Sequence, residues 1–148
     1  MNRVAIFVLF VTIASLTACD PGMTIRQIPP EQSSSADRLA IEISPVNRLI
    51  GSHFYGAKTK LTNLSKSSIT IKGCELATRN VTYESRLGGA ESYPFELAPG
   101  ASRYFGPFFQ LKDSVADVFK EPAELRVHYT IDGREELART ILRGGSHW

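Results

Sequence analysis

Cysteine is the most reactive side chain this sequence offers, and it holds two, Cys19 and Cys74. Cys74 sits in the run Ile69-Thr70-Ile71-Lys72-Gly73-Cys74-Glu75-Leu76, which has the character of a strand. A thiol becomes a nucleophile when a nearby base or cation draws it toward thiolate, and no histidine stands near Cys74 in sequence. Free cysteine is among the most buried residue types, so Cys74 is expected to be an inert core thiol. The three histidines, His53, His128 and His147, lack the i, i+2 or i, i+4 spacing of metal ligands, and His128 is expected on the solvent face of its strand. Glu135 and Glu136 are adjacent, and adjacent strand residues point to opposite faces, so they do not make an acid–base pair. No serine occupies a G-x-S-x-G elbow, and no phosphate-binding glycine pattern occurs. Asn63-Leu64-Ser65 and Asn80-Val81-Thr82 match the N-glycosylation acceptor pattern and read as chance matches. These residues point to no enzyme, no cofactor and no metal.

A different chemistry, contact through rings, is suggested by Tyr104-Phe105-Gly106-Pro107-Phe108-Phe109. Neighbouring strand residues face opposite sides, so Tyr104 and Phe105 cannot share one core, and Phe108 and Phe109 pose the same problem. Exposed apolar patches mark binding surfaces. Tyr104, Phe105, Phe108 and Phe109 are therefore the candidate contact surface. The competing arrangement bends the chain at Gly106-Pro107 and covers the second face with a helix.

The elements that would position these residues alternate with period two. Leu39, Ile41 and Ile43 alternate with polar neighbours, as do Tyr55 to Leu61, Ile69 and Ile71, Val81 to Leu87, Tyr93 to Leu97, and Leu125 to Ile131. That period marks strands with one face in a core. Turn signals separate them: Asn63 to Ser68, Gly88-Gly89 and Ala98-Pro99-Gly100-Ala101. Asp132-Gly133 between two alternating runs predicts a type I′ hairpin joining 124–131 to 135–142. Gly73 stands where the alternation changes phase, which predicts a β-bulge. Asp113 to Glu121, ending at Pro122, predicts one short helix capped by Asp113.

Seven or eight short strands with regular turns predict an all-β chain. The expected architecture is an immunoglobulin-like antiparallel β-sandwich over 38–143, with one helix near 113–121 and a small β-barrel as the alternative. Leu61-Thr62-Asn63-Leu64-Ser65, followed by Phe95-Glu96-Leu97-Ala98-Pro99-Gly100, resembles the loose pattern of bacterial Ig-like domains, in which one strand ends in an Asn-containing turn and a later one in Pro-Gly. The antibody-type Cys…Trp…Cys framework is absent, since the only Trp is residue 148. Residues 144–148 read as a tail.

The N-terminus has a separate logic. Arg3 is followed by the apolar run Val4–Val11 and weaker apolar character to Ala18. This is shorter than the roughly twenty residues of a spanning helix and has the order of a secretory signal peptide. Leu16 at −3 is too large for ordinary cleavage after Ala18. Leu16-Thr17-Ala18-Cys19 resembles instead the lipobox of bacterial lipoproteins. That resemblance implies a signal peptide over 1–18, a diacylglycerol thioether on Cys19 and acylation of the new amino group. Each buried methylene is worth about 0.8 kcal/mol and a single chain anchors only marginally, so several chains on one cysteine make a durable membrane anchor. Asp20 resembles the residue that keeps lipoproteins of enteric bacteria in the inner membrane. The periplasmic side of that membrane is the expected location, with the outer membrane as the alternative. Residues 19–37, rich in Pro, Ser and Gly, are expected to be a flexible tether, with Ile25 to Ile28 as an extra edge strand the alternative.

Removing residues 1–18 takes away one charge and leaves 16 basic and 15 acidic residues. That balance argues against nucleic acid as a partner and against a polybasic membrane patch. The expected function is a lipid-anchored, non-enzymatic binding or assembly module that meets a protein partner in the envelope. A periplasmic lipid or small-ligand carrier and an inhibitor or immunity lipoprotein are the alternatives.

Overall fold

The computed structural model describes residues 24–28, 38–44, 48–49, 53–87 and 91–145. Cys19, the expected signal peptide and most of the expected tether lie outside these residues, as does His147. In chain order the strands are β1 (Thr24–Ile28), β2 (Leu39–Ile43), β3 (Arg48–Leu49), β4 (Phe54–Gly56), β5 (Thr59–Asn63), β6 (Ile69–Ala77), β7 (Thr82–Glu84), β8 (Arg86–Leu87), β9 (Phe95–Leu97), β10 (Ser102–Phe105), β11 (Pro107–Gln110), β12 (Ala123–Ile131) and β13 (Arg134–Gly145). One helical turn, α1 (Val115–Val118), precedes β12.

The first sheet runs β1-β13-β12-β6, with β9 and β7 end to end along the far edge of β6, on Ile69–Ile71 and Glu75–Ala77 respectively. The second consists of two ladders, β10-β5-β2 and β3-β4-β11-β8. They join into one surface: the Ala57 N–H donates to the Pro107 carbonyl at 3.0 Å and the Ser44 N–H to the Lys58 carbonyl at 2.9 Å, across the interruption. Every pairing among the described strands is antiparallel. The order β2-β5-β10 opposite β6-β12-β13 is that of strands A-B-E opposite C-F-G in an immunoglobulin domain. The chain is thus an immunoglobulin-like β-sandwich, and its open strand paths exclude the closed barrel.

One core fills the space between the sheets. Tyr55 packs edge-on against Phe119, centroids 4.8 Å apart, and stacks with Phe109 at 6.2 Å. Each such pair adds about 0.5–1.5 kcal/mol to simple area burial. The Asp132-Gly133 hairpin forms as the sequence predicts, with φ of 49° and 72° and Ile131 opposite Arg134. The predicted bulge is present too. Gly73 faces His128 and Ile71 faces Tyr129, which leaves Lys72 as the extra residue. Buried positions therefore switch from Ile69 and Ile71 to Cys74 and Leu76.

Several expectations need correction. Tyr55 to Leu61 is two strands, β4 and β5, although burial alternates without a break from Phe54 to Asn63. The 81–87 run also divides: β7 pairs with β6 and β8 with β11, so the chain changes sheets at Ser85. The helix is confined to Val115–Val118, and its cap is Ser114, whose Oγ accepts the Asp117 N–H at 3.2 Å, not Asp113. The strand β13 continues to Gly145, into the expected tail.

Within the expected tether, the edge-strand alternative holds. Residues 24–28 form β1, in full register with Ile141–Gly145 of β13. Ile25 is fully buried, and Gln27 acts as a stand-in peptide group. Its Nε2 donates to the Ile41 carbonyl at 2.7 Å and to Thr140 Oγ1 at 2.8 Å, while its Oε1 accepts the Ile43 N–H at 2.8 Å. The open edge of β2 is thereby satisfied by a side chain from the other sheet, a way of closing an edge that would otherwise invite pairing. Four residues, Asp20 to Met23, now separate Cys19 from the folded domain.

Candidate functional site

The 102–110 segment resolves the puzzle of the adjacent rings. Burial alternates through it without a phase change, odd residues inward and even residues outward. Phe105 and Phe109 are core residues, 3% and 0% exposed, so those two are removed from the expected contact surface. Tyr104 is 59% exposed and Phe108 half-buried on the outer face. The chain does not bend at Gly106-Pro107. Phe105 meets Phe95 edge-on at 5.6 Å, and the Arg103 guanidinium lies 4.3 Å over the Phe95 ring, closing that end of the core.

What replaces the expected cluster is a strip on the outer face of the second sheet. Register places Gln110 opposite Phe54, Phe108 opposite Gly56, and Tyr104 opposite Lys60. Phe54, 38% exposed, joins Phe108 and Tyr104 in one line. The Lys58 Nζ lies 5.2 Å from the centre of the Tyr104 ring, a cation–π contact worth about 0.5–1 kcal/mol at an exposed site. Arg86 stands opposite Phe108 from β8. Lys60 pairs with Glu42 at 3.2 Å on the flank. The strip thus combines three aromatic rings with the cations Lys58, Lys60 and Arg86. Phe54 and the cations escaped sequence reasoning because only the β4–β11, β5–β10 and β8–β11 pairings bring them beside Tyr104 and Phe108.

The division into core and surface rings has a direct test. Phe105→Ala and Phe109→Ala are each expected to cost about 3–5 kcal/mol in a urea titration, whereas Tyr104→Ala, which loses only the exposed cation–π contact, should cost about 1 kcal/mol or less. A Phe109→Ala protein as stable as the parent would refute the inward assignment.

The other reactive groups are buried, paired or set apart from one another. Cys74 is buried and unpaired; burial, then the neighbouring Glu75 charge, push its thiol far above the ordinary range. A thiol so held is not a nucleophile at neutral pH. Burial likewise raises the Tyr55 hydroxyl. Glu135 is exposed, while Glu136 turns toward Arg38 at 2.7 Å and accepts the Tyr129 hydroxyl at 2.8 Å. His128 is exposed with its Nε2 3.4 Å from Glu75. Among the described residues no group of three His, Cys, Asp or Glu side chains is arranged to hold a metal ion. A surface hollow of about 480 Å³ near α1 includes Arg79, Asp113, Asp117, Lys120 and Glu121. Its charges are partly self-compensating, since Lys120 pairs with Asp117 and holds that carboxyl below its usual range.

Asn63, the last residue of β5, carries a dense set of side-chain hydrogen bonds. It is fully buried. Its Nδ2 donates to the carbonyls of Ser67, Leu97 and Ala98 at 2.8, 3.0 and 3.2 Å. Its Oδ1 accepts from the Ser65 N–H and hydroxyl. Its backbone locks onto the Pro99-Gly100 turn, the Gly100 N–H donating to the Asn63 carbonyl at 2.9 Å. The two halves of the Asn-turn and Pro-Gly pattern are therefore one hydrogen-bonded unit. An amide so enclosed is inaccessible to glycosylation in the folded state.

No family model matches the chain, and no curated protein matches it. Among solved structures, the GAE domain of GGA2p from Saccharomyces cerevisiae is similar over 82% of this chain and 94% of that one, with 17% identity and a TM-score of 0.43.

Proposed function

We propose that this protein is a non-enzymatic binding module, held at a membrane by lipid on Cys19, that presents the Phe54–Phe108–Tyr104 strip to a protein partner in the cell envelope. The observation that carries this reading is the strip itself. Three rings stand outward on a sheet whose inner face already supplies a full core, so packing does not require them there. Aromatic residues with arginine are enriched where proteins meet. The flanking Lys58 and Arg86, beside Lys60 that is already paired with Glu42, favour an acidic partner surface and speed its approach.

Affinity purification of the full-length, C-terminally tagged protein from gently solubilised native membranes tests it. A stoichiometric partner is expected, and Tyr104→Ala with Lys58→Glu should lower its recovery about ten-fold or more while leaving thermal unfolding unchanged. Retention of the partner by that folded double variant would refute the strip. A solitary protein carrying bound lipid would favour a ligand carrier instead.

A further inference from the structure

The outer face of the first sheet has a charge pattern of its own. Burial places Ile25 and Gln27 toward the core side, so Arg26 and Ile28 lie on the outer face of β1. On β13 the outward residues include Arg143, Ile141 and Arg139. Register sets Arg26 directly opposite Arg143 and Ile28 directly opposite Ile141. On β12, Arg126 stands opposite Arg139. The acids facing this group are Glu124 and Glu75. Glu124 bonds the Arg126 Nε at 2.5 Å and stands 3.8 Å from Arg139, and Glu75 is 3.2 Å from Arg126. Neither reaches Arg26 or Arg143, both exposed, and neither of those has an ion pair among the described residues. Like charges directly opposite one another weaken a strand pair. Here Arg26 of β1 and Arg143 of β13 are so placed, beside an isoleucine pair of which Ile28 is 37% exposed.

The length of chain before β1 gives this face an occupant. Five residue steps lead from Cys19 to Thr24, which reach at most about 17 Å when fully extended. Resting on the lipid-anchor reading above, we infer that the outer face of β1 and β13 docks on the anchoring membrane, with Arg26 and Arg143 on the phosphates of anionic phospholipids and the Ile28–Ile141 pair at the headgroup level. Arginine binds phosphate with a planar fork of donors. An arginine close to an anionic bilayer contributes roughly a five-fold gain in surface occupancy. Charge balance over the whole chain is no obstacle, because among the described residues these two cations have no acidic partner. The orientation also turns the opposite face of the sandwich, with the Tyr104 strip, away from the bilayer toward a partner.

The test uses the full-length lipoprotein in vesicles of phosphatidylcholine, with or without about a third phosphatidylglycerol. Ile28→Cys carries a fluorophore, and Thr62→Cys on the opposite face serves as the reference; buried Cys74 stays unlabelled. Quenching by headgroup-labelled lipid is expected at position 28, in anionic vesicles only, and not at 62. Salt near 0.5 M should weaken it, since screening then acts within about 4 Å. Arg26→Glu with Arg143→Glu should lower the docked fraction more than ten-fold. Arg26→Glu alone converts the like-charge pair into an opposite-charge pair. It should therefore raise thermal stability slightly while reducing quenching, which separates lost docking from misfolding. Equal quenching at 28 and 62 in a vesicle-bound protein would overturn the docking and leave the anchor intact. Failure to bind vesicles at all would overturn both.

Discussion

Asn63→Asp is expected to destabilise the domain by about 3–5 kcal/mol at neutral pH. The substitution keeps the shape of the side chain and changes its chemistry. Nδ2 now donates to three carbonyls, those of Ser67, Leu97 and Ala98; a carboxylate there would turn an acceptor toward acceptors in a fully buried site. An uncompensated buried charge costs about that much, a large share of the 5–15 kcal/mol that holds a typical domain together. The pH dependence has a definite sign. Burial and the facing carbonyls raise the folded-state pKa of the new carboxyl above its unfolded value near 4. The folded variant thus binds more protons than the unfolded one, and its deficit is smallest below about pH 4 and grows as the pH rises through the raised value. Asn63→Ala removes the same bonds without a charge and should cost about 3 kcal/mol at every pH. Urea titrations at several pH values read both. A loss below about 1 kcal/mol in Asn63→Ala would show that the union of the Asn turn and the Pro-Gly turn is dispensable.

Cys19→Ser is expected to have the largest effect on where the protein resides. If Cys19 carries two or more acyl chains, their loss removes on the order of 10 kcal/mol of membrane affinity, far beyond the roughly 1 kcal/mol of each arginine near an anionic surface. Intact mass measurement of the wild-type protein should find residues 1–18 absent and Cys19 heavier by a diacylglycerol and an acyl group. The Ser variant should be unmodified and still hold its N-terminal segment. An unmodified Cys19 in the wild-type protein would end the lipoprotein reading. The position of β1 makes the consequence spatial as well as chemical. With four residues between anchor and strand, the lipid would hold the sandwich against the bilayer rather than on a long leash.

The local devices of this fold could be read from the chain. Asp132-Gly133 specified its hairpin because positive φ at two successive positions is cheap for that pair alone among its neighbours. Gly73 marked the bulge because hydrophobic parity changes on either side of it. The alternating runs specified an all-β chain and favoured the sandwich, and the open strand paths decided it over the barrel. Each of the sequence signals depends on residues within one or two turns of chain, so sequence order is enough to carry it.

The candidate surface needed the tertiary structure. In Tyr104-Phe105-Gly106-Pro107-Phe108-Phe109 both parities are aromatic, so alternation by itself has no preferred phase. The phase was decided by pairing with the Phe54–Asn63 ribbon, whose Tyr55, Ala57 and Leu61 face the core. Register then put Phe105 and Phe109 inside and left Tyr104 and Phe108 beside Phe54. Gln27 and Asn63 show the same dependence. Polar residues in Pro- and Ser-rich segments read as solvent-facing, and nothing nearby in sequence contradicts that. Their partners lie at Ile41, Ile43 and Thr140 for Gln27 and at Leu97 and Ala98 for Asn63, and only the closing of one sheet over the other brings an amide to those distant groups. The sequence determined which residues alternate and where the chain turns; the packing of the two sheets decided which side of each strand meets water, because parity is a relation between strands and not a property of any one of them.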